Sequence, residues 1–285
     1  LNDRQVKFEK YLTDAFSEKA VEFINESSQP FMMYLAYNAV HNPMQATDED
    51  MAKFEGHPRQ KLAAMTYALD RGVGTVIRGL KDSGKFDNTL IFFLSDNGGA
   101  TTNQSSNYPL KGFKGNKFEG GHRVPYFVVW KNGIPAGKPY DGLVSSLDIF
   151  ATAIDAASIS KTRNRLDGVS LLPYLKGKKG EPHKVLYWRK MDTRAIRSGD
   201  YKLIITHGVD SVLYNIRRDP EEMNNLINKE PDLYHKLAKK LAKWEKNECI
   251  EPSWLEEGWR KITNRYHQQL MHNEIKTAQD LYKKK

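Results

Sequence analysis

Apolar positions along the chain alternate between helical spacing and short continuous runs. Thr13 and Asp14 precede Phe16, Ala20, Phe23 and Ile24, a capping signal followed by an apolar stripe, which predicts a helix ending near Asn25-Glu26-Ser27-Ser28. Phe31 to Tyr37 is almost unbroken apolar sequence, the pattern of a strand buried on both faces of a parallel sheet, and it releases Asn38-Ala39-Val40-His41-Asn42-Pro43. A polar loop with Asp48, Glu49 and Asp50 leads to Leu62, Met65, Leu69, Val73, Val76 and Leu80, one face of a long helix that Gly84 stops. Asp87-Asn88 then turns the chain into a second apolar strand, Thr89 to Leu94. Strand, helix and strand, with both strands apolar throughout, predict a βαβ unit.

Residues 100–116 are polar and glycine-bearing, as expected of a functional loop and not of a packed element. Tyr126 to Trp130 is a further strand, Asn132-Gly133-Ile134-Pro135 a turn, and Asp148 to Ala157 a helix rich in Ala, Ile and Phe. Glycine and lysine crowd the stretch from Leu166 to Gly180, which sets the expected domain boundary: 1–178 as an α/β domain and 179–285 as a smaller subdomain. In the latter, Val185 to Trp188, Thr193 to Ile196, Tyr201 to Ile205 and Val212 to Tyr214 are short β-rich runs between turns, hence antiparallel strands. Pro231-Asp232 opens a helix with Leu233, Leu237, Leu241 and Trp244 on one face, and the tail from Pro252, with Trp254, Trp259, Ile262, Tyr266 and Leu270, is expected to be helical.

Composition narrows the class. Hydrophobic residues at 39% and aromatics at 11% of 285 residues describe a globular chain able to bury a core. Lys plus Arg at 44 against Asp plus Glu at 35 gives a net charge of +9, which favours anionic partners without choosing among nucleic acid, anionic lipid and acidic polysaccharide. The single cysteine, Cys249, excludes an internal disulfide and a multi-cysteine zinc site. No apolar run is long enough to span a membrane.

Candidate chemistry gathers at Ser95-Asp96-Asn97-Gly98-Gly99, directly after the second apolar strand. Asp96 and Asn97 are oxygen donors at a strand end, where an open α/β sheet holds its ligand, and they suit calcium or magnesium better than zinc. His41 and Lys114 follow other elements; converging with Asp96, they would place an imidazole, an ammonium and a metal around a tetrahedral anion. The residues alone leave bland alternatives open: a tight turn at Asp96-Asn97, a loop histidine before Pro43, and one solvated lysine among Lys111, Lys114 and Lys117.

A resemblance bears on that choice. Thr89 to Gly99, then Asn107-Tyr108-Pro109-Leu110-Lys111-Gly112-Phe113-Lys114-Gly115, then Glu119-Gly120-Gly121-His122-Arg123-Val124-Pro125 resemble the downstream metal and sulfate-binding region of the type I sulfatases. Tyr11 to Asp14, His41-Asn42-Pro43, Leu69-Asp70, Leu166-Asp167-Gly168 and Arg197 to Leu203 resemble family positions as well, so the likeness runs to about Leu226. It implies an α/β fold, part of an alkaline-phosphatase-like mixed sheet flanked by helices, with a smaller C-terminal antiparallel-sheet and helix subdomain. It also implies calcium held by Asp96 and Asn97, a Lys114 that contacts the sulfate and its bridging oxygen, and a His41 that binds sulfate and helps protonate the departing alcohol. Glu119 and Arg123 are then loop residues. The implied partner is a sulfated carbohydrate, with neither nucleic acid nor membrane, and the implied location is periplasmic or secreted.

One family feature does not match. The formylglycine nucleophile lies in a Cys/Ser-x-Pro-x-Arg motif that this sequence lacks, because Cys249 is followed by Ile250-Glu251-Pro252. The expectation is therefore the C-terminal portion of a sulfuric ester hydrolase, unable by itself to turn over sulfate esters. The Trp-bearing tail and basic balance resemble sulfatases of large sulfated polysaccharides more than those of small aryl sulfates. The alternatives are a phosphodiesterase or phosphonate hydrolase on the same fold, and a non-catalytic polyanion-binding module.

Overall fold

Small residues decide how the first helices pack. In the computed structural model, which describes residues 3–7, 9–159, 165–249 and 256–283, α1 (Leu12–Glu26) buries Thr13, Ala15, Ser17, Ala20 and Ile24. The long helix α3 (Gln60–Asp82) buries Ala64, Met65, Ala68, Gly72, Gly79 and Leu80. A Cβ on Gly72 would stand 2.6 Å from Ser17 Oγ and one on Gly79 2.8 Å from Val21, so the two helices approach at positions where only glycine fits. The larger side chains of the expected stripe, Leu62, Leu69, Val73 and Val76, are only half-buried beside this contact. Thr13 and Asp14, expected as caps, lie inside the first turn, with Tyr11 at the N-cap.

The acidic segment expected to be a loop is in part the short helix α2 (Asp48–Ala52), capped by Thr47, whose Oγ1 accepts from the Asp50 amide at 3.2 Å. Arg71 of α3 donates to Asp50 at 2.6 and 2.9 Å and to Asp14 at 2.9 and 3.1 Å, joining α1, α2 and α3 through one guanidinium. The Arg71 hydrogen bonds hold the buried Asp50 carboxyl below its usual range.

Two strand expectations need correction. Residues 31–37 form no ladder among the described residues. They run with alternating burial, Phe31 edge-on to Phe23 at 5.3 Å and Tyr37 bonded to Ser17 at 2.8 Å, while Tyr34 is 90% exposed. The second strand, β1 (Ile91–Leu94), pairs antiparallel with β2 (Tyr126–Val129), Ile91 opposite Val129 and Leu94 opposite Tyr126. The expected βαβ unit is thus absent from the described residues; the chain returns to β1 through a loop and the short helix α4 (Glu119–His122), which an antiparallel pair permits. Helices α5 (Asp148–Ala156) and α6 (Leu172–Leu175) follow, and Ile159 is the last described residue before 165.

The expected antiparallel strands are present as a meander, β3 (Val185–Lys190), β4 (Thr193–Ser198), β5 (Tyr201–Thr206) and β6 (Asp210–Asn215), in sequential order. Period-2 alternation gives each strand two apolar faces. Ile196, Leu203 and Leu213 meet Leu237 and Leu241 of α7 (Pro231–Glu248). Ala195, Ile204, Val212 and Tyr214 meet Leu270 and Met271 of α8 (Glu257–Met271), Ile275 and Ala278, the chain continuing into α9 (Asp280–Lys283). Of the expected tail, Pro252 and Trp254 lie outside the described residues.

By contact density the chain divides into two compact units. One comprises Leu1–Thr89, Thr102–Gln104 and Trp130–Gly133; the other comprises Leu90–Thr101, Ser105–Val129 and Ile134–Lys285. Residues 176–180 lie inside the second unit. Among the described residues no helix is long and apolar enough to cross a membrane.

Candidate active site

The segment expected to be an open loop is among the most buried parts of the second unit. Phe113 and Phe118 are 1% and 0% exposed and pack on the meander face that carries Tyr214 and Ile204. Burying two such rings contributes about 1.5–3 kcal/mol each, which fixes the turn between them. Lys114, midway, is the exposed residue of the run.

A second set of bonds joins this loop to the strand-end motif. The Gly98 amide donates to the Gly121 carbonyl at 3.0 Å, the Lys114 amide to the Gly99 carbonyl at 2.9 Å, and the Ser95 amide to the Pro125 carbonyl at 3.3 Å. Asn107 accepts from the Gly99 amide at 2.7 Å and donates to the Gly112 carbonyl at 3.1 Å. A Cβ on Gly98 would lie 1.8 Å from the Gly120 carbonyl oxygen, so the contact requires glycine.

The structure therefore brings Asp96, Asn97 and Lys114 onto adjoining loops, and all three line one cleft of about 2450 Å³ in the second unit. Asp96 is exposed, and Asn97 donates its side-chain amide to the Asp96 carboxylate. An oxygen-only donor pair fits a hard cation as part of a shell of about 6–8 oxygens. It is not a complete shell, because among the described residues no three His, Cys, Asp or Glu side chains form a metal-holding group. His41 belongs to the first unit, where it is exposed and its Nδ1 lies 2.7 Å from the Asn42 carbonyl.

The 111–123 loop also takes part in a buried charge network with no signature in the sequence pattern. Lys202 of β5, fully buried, bridges Glu119 at 2.8 Å and Glu222 at 3.0 Å, and the Glu119 amide donates to Glu222 at 2.6 Å. Burial raises the Glu119 carboxyl, but the surrounding cationic groups, Lys202 foremost, together outweigh it and hold the group down at about 2. Burial dominates for Glu222 and pushes it up to about 7. Lys111 donates to the Glu222 carbonyl at 2.9 Å and to Asn273 at 2.5 Å, with burial lowering its ammonium to about 8. His122 is held neutral by burial, down to about 3, donates Nε2–H to the Lys117 carbonyl at 3.1 Å, and stacks on Trp188 at 4.5 Å. Glu119 and His122 anchor one end of the Lys114 turn to the meander, and Lys111 ties the other end to Glu222 and Asn273.

The sulfatase family profile matches residues 1–159, more than half of the chain. The chain belongs to the sulfatase family. Residues 114–247 also match the C-terminal domain of N-sulphoglucosamine sulphohydrolase. An uncharacterized sulfatase, YdeN, of Escherichia coli is 40% identical over 197 residues, covering 66% of this chain and 35% of the relative. The human N-acetylgalactosamine-6-sulfatase is 30% identical over 201 residues, covering 68% and 38%. The crystal structure of Ps i-CgsB in complex with k-i-k-neocarrahexaose is 36% identical, with a TM-score of 0.83 over 93% of this chain and 61% of that chain. The chain thus spans 35% and 38% of those two curated relatives. The mixed α/β architecture agrees with the alkaline-phosphatase-like fold of its structural neighbours.

Proposed function

We propose that this sulfatase hydrolyses sulfate esters of a sulfated carbohydrate, a polysaccharide in particular, with calcium and a formylglycine nucleophile as the groups that complete its site. The observation that carries the reading is the stitching of loops 95–99 and 111–123, which places an oxygen-donor pair and an exposed ammonium on one cleft. Arg123, Arg197, Lys240 and Lys243 also line that cleft, and such a cationic wall attracts a polyanion. Its volume suits a chain more than a single small ester, and the likeness to a protein solved with a neocarrahexaose supports the same choice.

In this reading Asp96 and Asn97 hold calcium, which when bound polarises a sulfate oxygen. Lys114 contacts the sulfate and the bridging oxygen, countering the charge that develops as the ester bond breaks. His41 binds sulfate and gives its proton to the departing alkoxide. Periplasmic or secreted location belongs to the same proposal. The test is the release of inorganic sulfate from a sulfated polysaccharide by protein expressed from its complete gene, with a phosphonate ester as the competing substrate. Sulfate release is expected, and turnover of the phosphonate ester alone would overturn the proposal.

A further inference from the structure

Among the cleft's described amines that form no ion pair, Lys117 and Lys190 are half-buried, whereas Lys138, Lys240 and Lys243 are exposed. Lys190 ends β3 two residues beyond Trp188, so both lie on the sheet face that carries the Lys114 loop. Its ammonium rests against the turn beside Lys114: a Cβ on Gly115 would stand 3.0 Å from Lys190 Nζ. Gly115, at φ +94, has no side chain to cover that ammonium.

The surroundings are cationic on each side. Burial and then repulsion from Lys114 lower the Lys190 ammonium. Burial, then Lys190 and Lys202, hold Lys117 at about 8. Lys202 is already committed to Glu119 and Glu222, and the nearby His267 is neutral, its Nδ1–H donating to the Thr263 carbonyl at 2.8 Å while its buried Nε2 has no hydrogen-bond partner among the described residues. Positive charge held partly out of water without a counter-charge costs stability, a cost that an incoming anion removes. A fold that keeps two such amines beside the sulfate-contacting lysine is built for more than one anionic group.

We propose that Lys190, assisted by Lys117, forms a subsite for a second oxyanion on the same saccharide as the reacting sulfate ester, so that the protein selects a multiply charged substrate. This rests on the sulfated-carbohydrate reading above. An ammonium is a point charge that accepts sulfate and carboxylate alike, so the shared chemistry is an oxyanion close along the sugar chain. Lys114 engages the group to be removed and Lys190 the group that stays.

Titration calorimetry of the full chain with three oligosaccharides of one backbone, monosulfated, disulfated, and monosulfated with a uronate, tests this. Wild-type protein should bind at least one doubly charged ligand about tenfold tighter than the monosulfated one, as expected for one desolvated ion pair, and the pair of doubly charged ligands separates sulfate from carboxylate as the second group. Lys190→Gln should abolish the preference and leave monosulfated affinity within about twofold, while melting at or above wild type because a repulsion is gone. Lys117→Gln should reduce the same preference, and serves as the test should Lys190→Gln fail to fold. A preference retained in the folded variant, or absent from wild type, overturns the subsite. Failure of wild type to bind any of the three overturns the functional reading, and the subsite falls with it.

Discussion

Replacing Lys202 by methionine removes the cation that lies 2.8 and 3.0 Å from two buried carboxylates while keeping most of the side-chain volume. The next cations are more distant: Arg123 and Arg197 stand 3.7 and 3.9 Å from Glu119. Breaking a buried pair by removing one partner costs about 3–5 kcal/mol, because the remaining charge is left without compensation. The cavity cost is small for Lys202→Met, so that range is the whole expected effect. Its pH dependence has a definite sign. Without Lys202 both carboxyls are raised in the folded state, so the folded protein binds more protons than the unfolded chain above about pH 4.5, and the deficit grows as pH rises. The assay is urea unfolding at pH 5 and pH 8, followed by tryptophan fluorescence, with Trp188 stacked on His122 beside the network. The transition of the second unit should lose about 3–5 kcal/mol at pH 8 and less at pH 5. Adding Glu119→Gln and Glu222→Gln should restore most of it, since a neutral network leaves no charge stranded. A loss below about 1 kcal/mol at pH 8, the range of an exposed pair, would refute the claim that this network anchors the Lys114 loop.

Other expectations follow from the same geometry. His122 and His267 are held neutral at about 3 and about 4, below the unfolded value near 6.5, so the unfolded chain binds protons first as pH falls. Stability should therefore drop from pH 6.5 toward pH 4.5 by about 2–3 kcal/mol per histidine, and His267→Phe should flatten part of that slope in thermal melts. Gly98→Ala puts a methyl group 1.8 Å from a backbone oxygen, so the stitched loops must separate; proteolysis between residues 95 and 123 should increase, and unchanged protection would contradict the contact. Arg71→Met leaves the 1%-exposed Asp50 without its partner, but the guanidinium is one-third exposed and screened, so about 1–3 kcal/mol is expected in the first unit by urea unfolding.

Periodicity made much of the fold legible. The four strands of the meander and the long helices were visible because their apolar spacing is set by packing faces of fixed period. Direction was not: the short run Ile91 to Leu94 carries no mark of which neighbour it pairs with, and it pairs with Tyr126 to Val129 antiparallel. The buried face of α3 escaped notice because it consists of Ala and Gly, which hydropathy ranks below the flanking Leu and Val. Asp96, Asn97 and Lys114 are candidates by motif and resemblance, and the structure adds that their loops adjoin. Lys202, Glu222, Lys117 and Lys190 carry no such signal, since a charged residue gives no sign of burial until its partners, 83 residues away for Lys202 and Glu119, are folded against it. The closest signal was the pair Phe113 and Phe118 flanking Lys114, two rings that needed a core to enter.

Lys114 is the residue proposed to contact the sulfate in a cleft built by the 95–99 and 111–123 loops. The most direct measurement is sulfate release from a sulfated polysaccharide by protein expressed from its complete gene, as wild type and as Lys114→Ala, with melting temperatures in parallel. Turnover is expected to fall about 100-fold or more, the scale of losing one charge-stabilising donor, at an unchanged melting temperature. Wild-type turnover in a folded Lys114→Ala protein would contradict it.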